Sequence, residues 1–170
     1  MVKPDAYWVA TGTLMAGEYP GARSQPEATL RLEALCAGGI RSFVDLTEAH
    51  ELEPYGALAR ELGLVWHRFP IRDLSIPTQP QMNEILSFID AEIVDGRPVY
   101  VHCWGGIGRT GTVIGCLLVE RGMDPADVLA QMSELRRHSQ KALRVSPETK
   151  QQRQFVTSWS PRNDTPTPGS

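Results

Sequence analysis

Apolar residues along most of the chain follow two alternating periods, one typical of short buried strands and the other of helices. The segments YWVA and TLMAG predict a hairpin near the start. Three apolar runs further on predict buried strands: IRSFVDL, LVWHRFP and PVYVH. Because helical patterns separate these runs, the sequence predicts one α/β domain with a mostly parallel central sheet flanked by helices.

Four polar signals predict where helices begin. Ser24 and Thr78 each precede a Glu or Gln by three residues, which is the spacing of a capping box. A proline follows Asp124 and Ser146, and this predicts the starts of the last two helices. The stretch TVIGCLLVE is apolar on every side, so we expect it to form a helix buried in the middle of the domain.

Length and composition suit a single domain, since the chain has 170 residues, of which 41% are hydrophobic and 22% charged. We expect the folded domain over residues 1–159 and a disordered tail, rich in Pro, Thr and Ser, over residues 160–170. The net charge of -3 lacks the basic excess typical of proteins that bind nucleic acid or anionic lipids. We therefore expect a monomer that binds neither nucleic acid nor a membrane.

Compartment and redox state follow from what the sequence lacks. No apolar stretch approaches the roughly 20 residues that cross a bilayer, and the N-terminus MVKPDAYWVA has no signal-peptide core. These features predict a soluble, cytoplasmic protein. Cys36, Cys103 and Cys116 form no CxxC pair, so we expect free thiols without a disulfide framework or a zinc site. We expect no cofactor.

The segment from Cys103 to Arg109 carries the strongest chemical signal. It lies between the strand PVYVH and the buried helix, so backbone N–H groups and the positive end of the helix dipole point at one small volume. Gly105, Gly106 and Gly108 let the backbone curl around that volume, and Arg109 can grip two oxygens of a phosphate. This pattern predicts an anion-binding loop with a cysteine at its start.

Cys103 is the predicted nucleophile, because the field that binds a phosphate also stabilises a thiolate. Attack of its sulfur on phosphorus gives a phosphocysteine intermediate, while Arg109 and the loop amides stabilise the charge on the phosphate oxygens. Thr110 can donate its hydroxyl to the departing thiolate. His102 either orients the thiolate through hydrogen bonds or simply ends the buried strand.

The stretch HCWGGIGRT resembles the signature HCxxGxxR(S/T) of the protein tyrosine and dual-specificity phosphatase superfamily, and the short chain resembles its compact dual-specificity branch. The resemblance implies that this stretch forms a phosphatase P-loop between a central strand and a buried helix. It implies catalytic roles for Cys103, Arg109 and Thr110. The phosphate-binding residues that it implies are Trp104, Gly105, Gly106, Ile107, Gly108 and Arg109.

Two further positions match the family outside the loop. In the family an aspartate on a movable upstream loop protonates the leaving oxygen, and Asp73 in FPIRDLSIPT occupies the matching position. The segment SPETKQQRQF resembles the one whose glutamines hold the hydrolytic water. Gln152 matches the second glutamine and Glu148 replaces the first, so either residue is a candidate to position the water.

Other side chains have simpler interpretations. Cys36 and Cys116 lie on apolar helix faces, so core packing is expected for both. Tyr19 is a candidate for an aromatic wall beside the substrate. Solvent exposure is the simplest expectation for Arg72, Arg136 and Arg137, and a solvated or structural role for His50, His67 and His138.

The pattern favours hydrolysis of phosphotyrosine, and also of phosphoserine or phosphothreonine, in a phosphorylated protein. The same chemistry on a phosphoinositide, a phosphorylated glycan or an RNA 5′ triphosphate is an alternative. Trp104 and Ile107 weigh against it, because they bring no positive charge to the loop. A third possibility is a catalytically silent phosphate-binding module. Sulfur transfer of the rhodanese type and arsenate reduction fit the loop length and the motif position less well.

Overall fold

The computed structural model describes residues 3–162, whose five strands form one sheet. In chain order the strands are Ala6–Ala10 (β1), Leu14–Gly17 (β2), Ser42–Asp45 (β3), Val65–Arg68 (β4) and Val99–His102 (β5). Their order across the sheet is β1-β2-β5-β3-β4. The pair β1 and β2 is antiparallel, and the other three pairs are parallel. The predicted fold class, an α/β domain with a mostly parallel sheet, is confirmed.

Helices cover both faces of this sheet. They are Gln25–Ala37 (α1), Gly56–Glu61 (α2), Gln79–Val94 (α3), Arg109–Glu120 (α4), Val128–Leu135 (α5) and Lys150–Thr157 (α6). Because successive strand residues point to opposite faces, Phe43 and Tyr100 pack with α1 and α2, whereas Val44 and Val101 pack with the other four helices. The sheet therefore separates two apolar cores, and α4 is buried in the larger one as its sequence predicts.

The predicted capping box at Ser24 is wrong. Ser24 is the N-cap of α1, but its side chain makes no cap hydrogen bond, and Glu27 forms an ion pair with Arg31 at 2.8 Å instead. Half of the predicted box at Thr78 forms: its hydroxyl accepts a hydrogen bond from the backbone N–H of Gln81 at 3.2 Å, but the Gln81 side chain donates to the carbonyl of Pro70 at 2.8 Å and not back to Thr78. Spacing alone therefore does not decide whether a capping box forms, because the acidic side chain has competing partners.

The last two helices begin three residues later than their prolines predict. The Asp124 carboxylate accepts a hydrogen bond from the N–H of Ala126 at 2.8 Å and forms a turn before α5. The hydroxyl of Ser146 donates to the carbonyl of Ile107 at 2.8 Å, so this side chain is directed at the cysteine loop. Thr149 caps α6. In both places the polar side chain makes another contact in place of an N-cap: Asp124 in a turn, and Ser146 with the cysteine loop.

The carboxyl ends of β2, β3 and β5 meet at one edge of the sheet, because these strands are parallel neighbours. Close contact at this edge requires glycine. A Cβ atom at Gly17 would lie 2.4 Å from the hydroxyl of Tyr100, and one at Gly106 would lie 2.4 Å from the carbonyl carbon of Gly17. The segment after β5 is therefore held directly against the end of β2.

Residues 1–2 and 163–170 lie outside the described residues, and with them lies most of the predicted tail over residues 160–170. Arg162 belongs to the described part and donates hydrogen bonds to Ser87 and Asp90 of α3, at 2.7 and 3.0 Å. Across residues 3–162, none of the helices combines the length and the apolar character that crossing a membrane requires.

Candidate active site

The loop between β5 and α4 carries Cys103 at its start and leads into Arg109, the first residue of α4. Cys103 is only 3% exposed. Gly106 has a φ of 71°, in the left-handed region that favours glycine, and Gly108 is the N-cap of α4. The loop thus curls from a buried strand onto a helix N-terminus, as its glycines predict.

Arg109 is 1% exposed, and acceptors from two other parts of the chain hold it. Its two terminal nitrogens donate to the two carboxylate oxygens of Glu51, at 2.7 and 2.5 Å, and one of them also donates to the carbonyl of Ile71 at 3.0 Å. Its Nε–H has no hydrogen-bond partner among the described residues. The guanidinium is therefore fixed in place, and its Nε–H is left as a donor for an anion.

Burial disfavours charge on both members of this ion pair, but their mutual contact outweighs it. Hydrogen bonds from Arg109 and from the Glu48 N–H lower the pKa of Glu51 below its ordinary value. The contact with Glu51 and the nearby charges of Cys103 and Asp73 raise the pKa of Arg109. Nothing in the sequence around Glu51 pointed to this role, because its partner lies 58 residues away.

Asp73 lies on the loop between β4 and α3 and reaches the same arginine. One of its carboxylate oxygens is 3.2 Å from a terminal nitrogen of Arg109, while the rest of the side chain is exposed. The next residue, Leu74, has a φ of 61°. The Nε2 of Gln152 donates to the carbonyl of Ser75 at 3.0 Å and ties this loop to α6. The three predicted residues Cys103, Arg109 and Asp73 therefore meet at one cavity.

His102 forms hydrogen bonds with both of its ring nitrogens. Its Nδ1 lies 3.0 Å from the carbonyl of Cys103, and its Nε2 lies 2.5 Å from the hydroxyl of Tyr55. Because a carbonyl only accepts, Nδ1 carries the proton and Nε2 accepts from Tyr55. Burial lowers the pKa of His102, although the nearby Asp45 carboxylate opposes the effect. A neutral histidine thus holds the backbone at Cys103.

Gln152 and Glu148 both lie against the loop at Gly108. A Cβ atom at Gly108 would be 3.1 Å from the Gln152 Oε1 and 3.2 Å from a carboxylate oxygen of Glu148. Gln152 is fully buried, and its Oε1 accepts from the N–H of Thr149 at 3.0 Å. The Gln152 side chain therefore points into the protein and not to solvent, although it lies on a surface helix. A role for either residue in holding water stays a prediction.

Thr110 is also fully buried, and its hydroxyl has no hydrogen-bond partner within residues 3–162. Buried hydroxyls are usually paired, so an unpaired one beside a cysteine loop leaves a donor for a thiolate or an anion. Ile107 is buried beneath the loop, whereas Trp104 is 60% exposed at the mouth of the cavity.

The cavity at the loop has a volume of about 350 Å³. Besides Cys103 and Arg109, it is lined by residues of the loop, of the Asp73 segment and of two parts of the chain that the motif does not include. The lining residues are Glu18, Asp73, Leu74, Cys103, Trp104, Gly105, Ile107, Gly108, Arg109, Lys141, Arg144 and Glu148. Glu18, Lys141 and Arg144 were not predicted, because only the fold brings them to the loop.

Two other expectations need correction. Arg136 is 2% exposed and donates to the carbonyls of Arg144 and Lys141, at 2.9 and 3.0 Å, so it does not face solvent. Tyr19 lies outside the lining of this cavity, and its hydroxyl donates to the carbonyl of Glu53. The exposed aromatic side chain at the cavity is Trp104.

The remaining thiols lie away from the loop. Cys116 is buried in α4 and Cys36 is partly buried on α1, and burial raises the pKa of both. Arg137 is exposed as expected.

Within the part of the chain that the structure describes, no group of three or more His, Cys, Asp or Glu side chains is arranged to hold a metal ion.

A cysteine and an arginine on a glycine-rich loop, between a central parallel strand and a buried helix, form the arrangement that the signature of the protein tyrosine and dual-specificity phosphatases predicts. The family model described as "Tc-R-P: Polymorphic toxin system, DSP-PTPase phosphatase" matches residues 17–123, well over half of the chain. The chain belongs to this family, and the resemblance of HCWGGIGRT to the superfamily signature is thereby confirmed.

Individual relatives agree with this assignment. The solved structure of Tk-PTP in its active form has a TM-score of 0.74 and 27% identity, covering 90% of this chain and 94% of its own. Protein 067L of Invertebrate iridescent virus 3 is 37% identical over 94 residues, which are 52% of this chain and 38% of the viral protein. Phosphatidylglycerophosphate phosphatase PTPMT2 of Arabidopsis thaliana is 31% identical over 108 residues, 63% of this chain and 44% of the plant protein. The chain thus matches less than half the length of these two curated relatives.

Proposed function

We propose that this protein hydrolyses phosphate monoesters of phosphorylated proteins, phosphotyrosine first and also phosphoserine or phosphothreonine, through a phosphocysteine intermediate. The observation that carries the proposal is the convergence of Cys103, Arg109 and Asp73 on one cavity, together with the unpaired Nε–H of Arg109. A nucleophile, an oxyanion clamp and a proton donor are the parts that this reaction needs.

In the first step the thiolate of Cys103 attacks phosphorus, the S–P bond forms and the bond from phosphorus to the leaving oxygen breaks. Asp73 gives its proton to that oxygen, because an unprotonated alkoxide or phenoxide is a poor leaving group. Arg109 and the loop amides hold the phosphate oxygens. The substrate phosphate takes the place beside Arg109 that Asp73 partly occupies without substrate.

In the second step a water molecule attacks phosphorus, and the carboxylate of Asp73 takes its proton. The S–P bond breaks, inorganic phosphate leaves and the thiolate is restored with the hydroxyl of Thr110 as a hydrogen-bond donor. Glu148 and Gln152 both lie close enough to the loop at Gly108 to orient this water. Gln152 has the weaker claim, because its amide already caps α6 and holds Ser75.

Protein substrates are supported by the exposed Trp104 and Leu74, which offer apolar contact to an aromatic ring at the mouth of the cavity. A phosphorylated lipid or glycan is the second candidate. Its support is the 31% identity to the Arabidopsis phosphatidylglycerophosphate phosphatase. We propose that the protein acts as a cytoplasmic monomer with no cofactor, with neither nucleic acid nor membranes as partners, and that residues 1–159 form the catalytic unit.

The test is hydrolysis of an aryl phosphate in the presence of EDTA, with variants at the two chemical positions. We expect wild-type turnover, no turnover in Cys103→Ser, and a loss in Asp73→Asn that affects kcat far more than substrate affinity, by about 100-fold or more. Rapid acid quenching of wild-type protein with substrate gives the second readout, a phosphoryl group on Cys103 detected by mass spectrometry.

Full activity in Cys103→Ser would contradict the proposal. Tight binding of phosphopeptide with no turnover between pH 5 and 8 would favour the silent module instead. The kcat/KM values for phosphotyrosyl, phosphothreonyl and phosphoinositide substrates then show which substrate class the enzyme prefers. The Cys103→Ser variant is run beside each substrate as the control. A phosphoinositide value well above both peptide values would replace the protein substrate by the second candidate.

A further inference from the structure

Two cations that do not belong to the cysteine loop line the cavity at its mouth. Lys141 and Arg144 both come from the segment between α5 and α6, and both share the cavity with Cys103 and Arg109. Lys141 also donates from Nζ to the carbonyl of Gly105 at 3.3 Å, so it touches the loop directly. The fold therefore supplies two positive charges beside the loop, although Trp104 and Ile107 within it bring none.

The segment that carries these cations is firmly anchored. Arg136 is almost fully buried, and its guanidinium donates to the carbonyls of Lys141 and Arg144 themselves. Asp5, before β1, accepts from the hydroxyl of Ser139 at 2.7 Å and from the N–H of Gln140 at 3.1 Å. The backbone is thus fixed at both positions from which a cation reaches the cavity, so binding does not have to order the backbone there.

Each cation holds a carboxylate that lines the same cavity. Lys141 binds Glu18 at 2.5 Å, and Arg144 binds Glu148 at 2.7 Å. The two pairs differ in exposure: the Arg144 and Glu148 side chains are 56% and 36% exposed, whereas those of Lys141 and Glu18 are 30% and 28% exposed. An exposed ion pair contributes little stability, so an anion with more charge than a carboxylate can replace Glu148 on Arg144.

The cavity has room for such an anion. A phosphate group at Cys103 occupies only a small part of about 350 Å³, and the remaining space extends to Lys141, Arg144 and Glu148. A second phosphate on the same carrier carries up to two charges and three acceptor oxygens. A guanidinium binds two such oxygens in a bidentate fashion.

We propose that Arg144, with Lys141 beside it, binds a second phosphate group of the same substrate molecule whose first phosphate is hydrolysed at Cys103. The enzyme would then select doubly phosphorylated substrates. The proposal rests on the function proposed above, in which the loop at Cys103 binds the first phosphate. The second phosphate displaces Glu148 from Arg144, whereas Lys141 keeps Glu18 and adds its charge. The chemistry is the same on a doubly phosphorylated peptide and on a soluble inositol phosphate.

The experiment measures a selectivity ratio, kcat/KM for a doubly phosphorylated substrate over kcat/KM for its singly phosphorylated counterpart. One arm uses a phosphotyrosyl peptide with and without a phosphoserine next to the phosphotyrosine, and the other uses inositol bis- and monophosphate. We expect a ratio of about ten in at least one arm at low ionic strength, falling as salt is added. The arm in which this selectivity appears shows whether the substrate is a phosphopeptide or an inositol phosphate.

Three variants test which residues set this selectivity ratio. Arg144→Gln is expected to bring it close to one, because the second phosphate loses its bidentate partner. Glu148→Gln is expected to raise it about threefold, because the competing carboxylate is gone. The matched control is Arg137→Gln, which removes the same charge from an exposed side chain outside the cavity and is expected to leave the ratio unchanged.

The two proposals fail in different ways. A wild-type ratio of one in both arms, with normal hydrolysis of the monophosphates, overturns the second phosphate site and leaves the phosphatase mechanism intact. If no substrate is turned over, the mechanism fails, and the site is then tested by calorimetry in Cys103→Ser. Equal affinity there for the singly and doubly phosphorylated peptide overturns it, and tighter binding of the doubly phosphorylated one, lost in Arg144→Gln, supports it.

Discussion

Glu51 is the residue that turns Arg109 into a fixed clamp. Its two carboxylate oxygens each accept from one terminal nitrogen of the guanidinium, and the Nε–H stays unpaired. Without Glu51, the arginine would keep its charge but would be free to adopt other rotamers. Because a displacement of about 1 Å in a catalytic group can cost about 100-fold in rate, the orientation supplied by Glu51 matters as much as the charge of Arg109.

Glu51→Gln is therefore expected to lower kcat/KM for an aryl phosphate by about 100-fold, with the fold retained. Steady-state kinetics and a circular dichroism spectrum check the two parts of this prediction. Glu53→Gln, in the same segment, is the control and is expected to keep wild-type kinetics, since its interaction with Tyr19 uses the backbone carbonyl. Unchanged kinetics in Glu51→Gln would show that the other acceptors suffice to orient Arg109.

The ion pair between Glu51 and Arg109 also makes the stability of the protein depend on pH. The pKa of Glu51 is lowered in the folded protein, since the hydrogen bonds from Arg109 and Glu48 outweigh burial. A carboxyl with a lowered folded pKa contributes stability above its unfolded pKa, near 4.5, and loses it as the pH falls through the folded value. Urea denaturation between pH 3 and 7 should accordingly show a weaker acid-side loss in Glu51→Gln than in the wild type.

At the scale of elements, the cysteine loop depends on close contact with the end of β2. Gly106 combines a positive φ with a position directly against the backbone of Gly17. Two different costs thus fall on one residue. A side chain there is strained by about 1–2 kcal/mol in the left-handed conformation, and it also collides with atoms that cannot move without shifting a strand.

Gly106→Ala is expected to abolish phosphatase activity and to lower the free energy of unfolding by about 3 kcal/mol or more, because strain and overpacking add. Gly12→Ala is the matched control. Gly12 has a φ of 80°, but a Cβ atom there meets nothing within 4 Å. The Gly12→Ala variant should lose only about 1 kcal/mol of its free energy of unfolding, from backbone strain, and keep full activity. Urea denaturation and aryl phosphate kinetics compare the two, and equal effects would contradict the close-contact argument.

At the scale of the whole molecule, the segment after α5 that lines the cavity is held from two places in the chain. Arg136, next to the end of α5, binds two of its carbonyls, and Asp5 before β1 binds Ser139 and Gln140. The hydroxyl of Ser146 then binds the carbonyl of Ile107 in the cysteine loop. The shape of the cavity mouth therefore depends on contacts between regions more than 130 residues apart.

Arg136→Met is expected to lower the free energy of unfolding by about 2 kcal/mol, because two carbonyls lose charge-assisted hydrogen bonds. Hydrogen exchange of the amides from 139 to 146 should accelerate at the same time, since this segment loses its anchor. Arg137→Met, at the adjacent exposed position, should change neither quantity. Wild-type exchange rates in Arg136→Met would show that Asp5 alone suffices to hold the segment.

Sequence alone was sufficient for the strands, the buried helix α4 and the loop from Cys103 to Arg109, because each depends on residues close together in the chain. Apolar periodicity and glycine spacing report such local geometry. The tertiary structure decided which distant side chains complete the site: Glu51 on Arg109, and Lys141 and Arg144 at the cavity mouth. No local pattern marks these residues, because their partners are tens of positions away and meet them only when the parallel strands and the segment after α5 pack together.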